Sequence, residues 1–285
     1  MRILITGANG QLGQELQKAL EERPESVIPT DLPGFDIADD QSVQSLADLE
    51  PDLVIHSAAM TNVDGCARDP DLAFRINALG TQNVARACLR SGSDMVCVST
   101  NEVFDGRGET PYLEEAATNP INPYGSSKRA GEQMAARLIG DRLYIVRTAW
   151  LYGPAGDNFP SKMIALADAH KQLRVVDDEV GNPTYAPDLA EAIVRLAQTR
   201  AYGIYHFTNA GYCSRYDFAR EILRLSGRDQ IPVHPIALAD FQRASVVPPF
   251  APLANEKGAD LGIDLRPWQE ALQAYFAETG IEREE

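Results

Sequence analysis

The stretch ITGANGQLG, residues 5–13, constrains this chain more than any other. It sets Gly7, Gly10 and Gly13 between an apolar run, RILIT at 2–6, and a segment whose Leu12, Leu16, Ala19 and Leu20 form an i, i+4, i+7, i+8 stripe. Glycines at such a strand-to-helix junction permit a tight turn, close approach of backbone to a diphosphate, and close packing of helix on strand. The free N–H groups of the helix start then face the phosphates. The spacing is GxxGxxG, so it is the strand and helix around the glycines that point to a dinucleotide. Asp31 ends the second apolar run, 18 residues after Gly13, where an acid accepts hydrogen bonds from the adenosine ribose. No Arg or Lys adjoins it to welcome a 2′-phosphate, which favours NADH over NADPH. The plain alternative for Asp31 is a solvated loop acid.

The rest of the chain alternates. Strand-like runs occupy 2–6, 26–30, 52–58, 94–100, 142–148 and 203–209, with helical patterns between them, including 72–90, 124–138 and 187–198. Continuous apolar strands alternating with helices predict a parallel sheet covered on both faces. Beyond about residue 150 the alternation loosens, and Pro and Gly recur at 153–160 and 232–252. The expected fold is α/β: a Rossmann-type doubly wound parallel sheet with a smaller interleaved C-terminal substrate-binding lobe. Its core spans 1–150 plus about 185–210, and its lobe about 151–184 and 211–285. A net charge of −15 argues against nucleic acid or an anionic membrane as partner. No leader pattern opens the chain, and no apolar run approaches the ~20 residues that span a bilayer. Cys66, Cys88, Cys97 and Cys213 show no ligand spacing, and the four histidines are scattered. They read as thiols of a reducing, cytoplasmic compartment, with no zinc site.

A second motif is NPYGSSK, 122–128. Asn122 is placed to cap a helix that begins at Pro123. Tyr124 and Lys128 then share one helical face. A phenol is a poor acid at its reference pKa of ~10, and an ammonium one turn away is expected to lower it. Thr100, at the tip of the fourth strand, is placed to hydrogen-bond the same substrate oxygen.

Together these features resemble an extended short-chain dehydrogenase/reductase, and within it the dTDP-4-dehydrorhamnose reductase family. The likeness runs from residue 1 to about 205 and more faintly to about 275. It is carried by TGANGQLG, AAMTNVDGCARDPDLAFRINALGT (58–81), STNEVFDG, NPINPYGSSKRAGE (119–132), RTAWLYGP…NF (147–159) and DDEVGNPTYAPDLAEA (177–192). The resemblance implies NADH- or NADPH-dependent reduction of the C4 ketone of a nucleotide-linked 6-deoxy sugar. It implies a catalytic triad of Thr100, Tyr124 and Lys128. The cofactor groove would be formed by Gly7, Asn9, Gly10, Gln11, Leu12, Gly13, Asp31, Asp36, Ile37, Ala58, Ala59, Thr61 and Ser99, with Tyr124 and Lys128. Asn101, Glu102, Trp150, Asn158 and Thr184 would border the sugar nucleotide together with Thr100 and Tyr124.

The chain departs from that pattern in three places. Reductases of the family read STDYVFDG, whereas STNEVFDG carries Asn101 and Glu102. Sugar-nucleotide dehydratases of the wider superfamily read STDEVYG, where an acid protonates the leaving hydroxyl and a glutamate removes a ring proton. Glu102 fits that second chemistry. Asn101 does not, because an amide has no proton of useful acidity to give. Reductase is therefore the expectation, and Glu102 either contacts sugar hydroxyls or is a solvated carboxylate. Some members dimerise through a metal held by three glutamates; Glu15 matches, but Pro187 and Ala274 stand at the other two positions. The expectation is no metal, and a monomer or a metal-independent homodimer. The segment 243–263 lacks an arginine-proline-asparagine pattern, though its Arg243 remains a candidate for a substrate phosphate. A rival of another class is the regulatory subunit of methionine adenosyltransferase, which has this fold and binds NADP(H) without serving as a metabolic reductase.

Overall fold

The computed structural model describes residues 1–281. Five parallel strands, β1 (Arg2–Thr6), β2 (Ser26–Thr30), β3 (Leu53–His56), β4 (Asp94–Thr100) and β5 (Leu143–Thr148), are joined at the β5 edge by a sixth, Gly203–His206. The order across the sheet is β2-β1-β3-β4-β5 and then the sixth strand. Crossovers change direction between β1 and β3, and a cleft opens beyond the C-terminal ends of strands at such a point. Both faces of the sheet are covered. Ile3 and Ile5 point into one apolar layer with Leu12, Leu16, Leu189 and Ile193, while Leu4, Val54 and Met95 pack with Val84 and Ala135 on the other.

The first layer is supplied by α1 (Gln11–Glu21) and by the helix Ala186–Ala197. The second layer begins with α2 (Asp40–Asp48), followed by the short α3 (Val63–Arg68) and α4 (Pro70–Phe74). It continues with α5 (Thr81–Ser91) and α6 (Pro123–Ile139). The helical pattern expected at 72–90 is interrupted by a π-helical turn, Arg75–Gly80. The close approach of α6 gives a reason: a Cβ on Gly131 would lie 2.5 Å from the Asn77 carbonyl oxygen. Asn77 uses its amide three times, accepting from Met60 N at 2.8 Å and donating to Met60 O at 3.1 Å and Ser127 Oγ at 3.0 Å. Wide turns of this kind occur often beside functional sites. The strands expected at 52–58 and 203–209 end earlier, at His56 and His206. Beyond His56 the chain leaves the sheet to line the cleft.

The remaining elements gather around a third apolar cluster containing Tyr152, Tyr185, Phe218, Trp268 and Tyr275. Small strand pairs stitch it together: Leu151–Tyr152 with Thr184–Tyr185, Leu173–Val176 with Val233–Ile236, and Val180–Gly181 with Cys213–Ser214. The segment around 246–253 then returns over the tip of β4. Ala251 accepts from Asn101, Val246 accepts from Asn122, and Leu253 N donates to Asn182. The last four positions of the expected lobe, 282–285, lie outside the described residues. No helix among the described residues is long and apolar enough to cross a membrane.

Candidate active site

A cavity of about 780 Å³ lies at the strand ends and runs from the β1 turn to the start of α6. The glycine turn forms one end. Gly7 has φ +72°, and a Cβ there would sit 2.7 Å from Ala58 N; a Cβ on Gly13 would sit 2.1 Å from Gly7 O. Only glycine lets β1, β3 and α1 close this tightly. The first turn of α1 is therefore open toward a phosphate, with its N–H groups unclaimed by the helix ladder. The Gln11 amide braces the turn from the side, its oxygen facing the N–H groups of Tyr152 and Gly153 at 3.2 Å each and its nitrogen facing Ala155 O at 3.1 Å.

The end of the cavity beside Asp31 is acidic. Asp31 accepts Asn9 N–H and Leu32 N–H, each at 2.7 Å, one on each carboxylate oxygen. It is thus oriented by backbone rather than left as a loose loop acid. Asp36 and Ile37 continue the wall, with Leu32 and Phe35 beside them. The cations lining the cavity are Lys128 and Arg215, and neither belongs to the segments that form this end.

At the other end, Ser99, Thr100, Asn101, Glu102, Tyr124 and Lys128 share the wall. Asn122 caps α6, accepting Gly125 N–H at 2.8 Å. A Cβ on Gly125 would overlap the Glu102 carbonyl at 2.0 Å, so the turn Asn101–Val103 lies directly against the first turn of α6. That contact brings Thr100 and Tyr124 together. Burial pushes the Tyr124 phenol above its ordinary pKa; the Glu102 carboxylate adds to this and the Thr100 hydroxyl opposes it. The lowering expected from Lys128 is not found. Burial lowers the ammonium's own pKa, and Nζ donates to the Val98 carbonyl at 2.7 Å.

Behind the wall lies a buried ion pair. Glu132, one turn beyond Lys128, accepts Arg147 Nε at 3.0 Å and Nη2 at 2.9 Å, and Ser99 Oγ at 2.5 Å. Arg147 also lies over the Phe104 ring. The pair clamps α6 and β5 to the tip of β4.

Asn101 and Glu102 differ sharply. Asn101 is buried, accepting from Thr100 Oγ1 at 3.3 Å and donating to Ala251 O at 3.1 Å. A carboxylate there would face that carbonyl. Glu102 is no solvated carboxylate: Asn122 Nδ2 donates to its Oε2, and burial pushes its pKa up to about 7.

Trp150, another cavity residue, has φ +42°. Its ring carries the Arg215 guanidinium at 3.6 Å and abuts Gly181, where a Cβ would come within 2.7 Å. Arg215 in turn donates to Glu179 at 2.9 Å. Nothing in SRYDF, 214–218, marks this arginine; only the packing of its helix against Trp150 brings it into the cleft. Arg243, the expected phosphate candidate, is held instead by Asp64 at 3.4 Å and Glu179 at 3.6 Å, and it does not line the cavity.

Three expected residues stand back from the lining. Asn9 meets the site through its backbone. Asn158 is the N-cap of the helix Phe159–Ala169, in a reciprocal capping box with Ser161. Thr184 is fully buried in its strand pair with Leu151, its hydroxyl directed at Asn182 O. In both Asn158 and Thr184 the polar group is spent on local structure. Among the described residues no group of three His, Cys, Asp or Glu is arranged to hold a metal. Glu15 is instead paired with Lys18 at 2.9 Å.

The family model described as RmlD substrate binding domain matches residues 1–281. The dTDP-4-dehydrorhamnose reductase of Streptomyces griseus is 39% identical over 282 residues, covering 96% of this chain and 93% of that protein. A solved dTDP-4-dehydrorhamnose reductase from Clostridium acetobutylicum is 42% identical with a TM-score of 0.94, covering 98% of this chain and 100% of that one. Another, from Bacillus anthracis in complex with NADP, is 38% identical with a TM-score of 0.94, covering 98% and 99%.

Proposed function

The chain belongs to the RmlD substrate-binding-domain family, the family of the dTDP-4-dehydrorhamnose reductases, and from that premise we propose how its cleft works. The protein is an oxidoreductase that uses a nicotinamide cofactor to reduce the 4-keto group of a dTDP-linked sugar. The supporting observation is the juxtaposition of Thr100, Tyr124 and Lys128 in one cavity with the glycine turn. The turn fits a dinucleotide because Gly7, Gly10 and Gly13 line the cavity where the first turn of α1 leaves its N–H groups free. When bound, the reduced cofactor supplies hydride. Thr100 and Tyr124 hold the ketone oxygen, Tyr124 gives its proton to the developing alkoxide, and the Lys128 ammonium stabilises the tyrosinate that results. Arg215 is placed to meet the sugar diphosphate, on a surface that Trp150 makes flat.

We further propose dTDP-4-dehydro-L-rhamnose or a close relative as the sugar. Supplied with such a 4-keto-6-deoxy sugar, the protein consumes one reduced cofactor per sugar. Offered dTDP-glucose, it forms no 4-keto-6-deoxy product, because Asn101 has no proton to give and its amide is already committed to Ala251. Dehydration of dTDP-glucose would overturn this assignment.

The cofactor preference we propose is NADH. The Asp31 and Asp36 carboxylates meet an added 2′-phosphate with like charge, and among the described residues no lysine or arginine lines that end of the cavity. Fluorescence titration is expected to show tighter binding of NADH, by about tenfold, the equivalent of ~1.4 kcal/mol. A clear preference for NADPH would remove the inference from Asp31.

A further inference from the structure

We propose that Glu179 is a positioning residue for the nucleotide-sugar diphosphate, holding the Arg215 guanidinium by its Nε edge so that the terminal nitrogens stay free for phosphate. The proposal rests on the reading of Arg215 as the partner of the sugar diphosphate.

One short segment shapes the arrangement. Val180–Gly181 pairs antiparallel with Cys213–Ser214, Ser214 standing opposite Val180. That register sets Glu179 opposite Arg215, whose backbone N–H donates to Glu179 O at 3.0 Å. The two side chains then meet, Arg215 Nε donating to Glu179 Oε1 at 2.9 Å. Two residues on, Gly181 abuts the Trp150 ring, over which the guanidinium lies at 3.6 Å. Residues 179–181 thus hold both the arginine and its platform.

The contact leaves the arginine usable. A guanidinium carries five N–H donors, and Glu179 takes the one on Nε. Neither Nη atom donates to protein among the described residues, and the side chain lines the cavity. A carboxylate gripping Nε and Nη2 together would occupy the fork that a phosphate needs. Here the second carboxylate oxygen is turned to Arg243 Nη1 at 3.6 Å. Arg243 is tied in turn to Asp64 of α3 at 3.4 Å, so Glu179 is anchored from its far side. Glu179 is 7% exposed and has little room to swing away.

The consequence is preorganisation. A free arginine side chain samples many rotamers, and ordering them opposes binding. Stacking on Trp150 fixes the plane of the guanidinium, and the Nε bond fixes its rotation within that plane. The fork is therefore set before a diphosphate arrives. A chain of net charge −15 offers an anionic nucleotide no long-range attraction, so affinity rests on such local donors.

The test measures dTDP binding by isothermal titration calorimetry, and steady-state kinetics with a dTDP-4-keto-6-deoxy sugar and NADH. Glu179→Ala is expected to weaken dTDP binding and raise KM for the sugar nucleotide by about tenfold. Turnover at saturating sugar is expected to stay within about twofold, the pattern of lost uniform binding. Glu179→Gln keeps an oxygen for Nε and is expected to bind dTDP within about threefold of the parent protein. Glu179→Asp keeps the charge but withdraws it by one methylene, and is expected to lose about fivefold. Tighter binding by the glutamine than by the aspartate variant marks placement rather than charge, and it decides the matter even where the alanine variant does not fold. Adding Glu179→Ala to Arg215→Ala is expected to change dTDP affinity by less than about twofold, since Glu179 acts through Arg215. Titration with NADH confirms that each variant is folded.

Unchanged dTDP affinity in Glu179→Ala overturns the proposal, as does the reverse order of the glutamine and aspartate variants. A further loss in the Arg215→Ala background also overturns it. Arg215→Ala binding dTDP like the parent overturns both the proposal and the diphosphate role of Arg215, while cofactor consumption with the sugar leaves the reductase assignment standing. A parent protein that neither binds dTDP nor consumes cofactor with the sugar overturns that assignment as well.

Discussion

Tyr124→Phe is expected to lower turnover by about 10²- to 10⁴-fold while leaving cofactor affinity within a few-fold. The substitution keeps the ring and removes only the hydroxyl. That hydroxyl faces Thr100 at the wall shared with the glycine turn. The phenol is held above its ordinary pKa by burial and by Glu102, so it is protonated and ready to donate. The sign for pH follows. Tyr124 does not lose its proton as pH rises through the neutral range, so any alkaline fall in activity of the free enzyme below about pH 10 belongs to another group. Steady-state and single-turnover rates with a dTDP-4-keto-6-deoxy sugar measure the effect, and fluorescence titration with NADH measures affinity. Near-normal single-turnover rates in the variant would mean that the proton comes from elsewhere.

The second large effect is structural. Glu132→Ala is expected to destabilise the fold by about 3–5 kcal/mol, because it leaves the Arg147 guanidinium buried without its carboxylate. Both side chains are almost wholly shielded, Glu132 at 0% and Arg147 at 1% exposure. In a chain of this length such a loss lowers the melting temperature by about 10 °C. The variant also frees Ser99 Oγ, which is bonded to Glu132 one residue before Thr100. Turnover measured well below the melting transition is therefore expected to fall as well. Replacing both partners with apolar residues of similar volume, Glu132→Leu with Arg147→Met, is expected to recover much of the stability, since no charge is then stranded. Thermal denaturation of the three proteins decides the matter. A loss under about 1 kcal/mol in Glu132→Ala would show that solvent reaches Arg147.

Several elements were legible because their cause is local. The turn at Gly7–Gly13 needs residues without Cβ, and the clash distances at Gly7 and Gly13 give the reason in atoms. The strands of the sheet appear as apolar runs because both faces are buried, and the i, i+4 spacing of Tyr124 and Lys128 is helix geometry. The interrupted helix at 72–90 was not legible. Its π-helical turn answers the packing of Gly131, more than fifty residues later in the chain.

The sequence by itself determined the strands, the glycine turn, the tyrosine–lysine face and the absence of an acid at Asn101, since each depends on residues within a few positions of one another. Only the tertiary structure decided the rest. It recruited Arg215 into the cleft by stacking it on Trp150, and it held Arg243 between Asp64 and Glu179. It enclosed Thr184 in a strand pair with Leu151. It also placed Glu102, which the sequence left as a sugar contact or a solvated carboxylate, where burial pushes its pKa up to about 7. The physical reason is common to all of these. Burial, charge pairing and desolvation are properties of neighbours in space, and here those neighbours come from segments tens to more than a hundred residues apart.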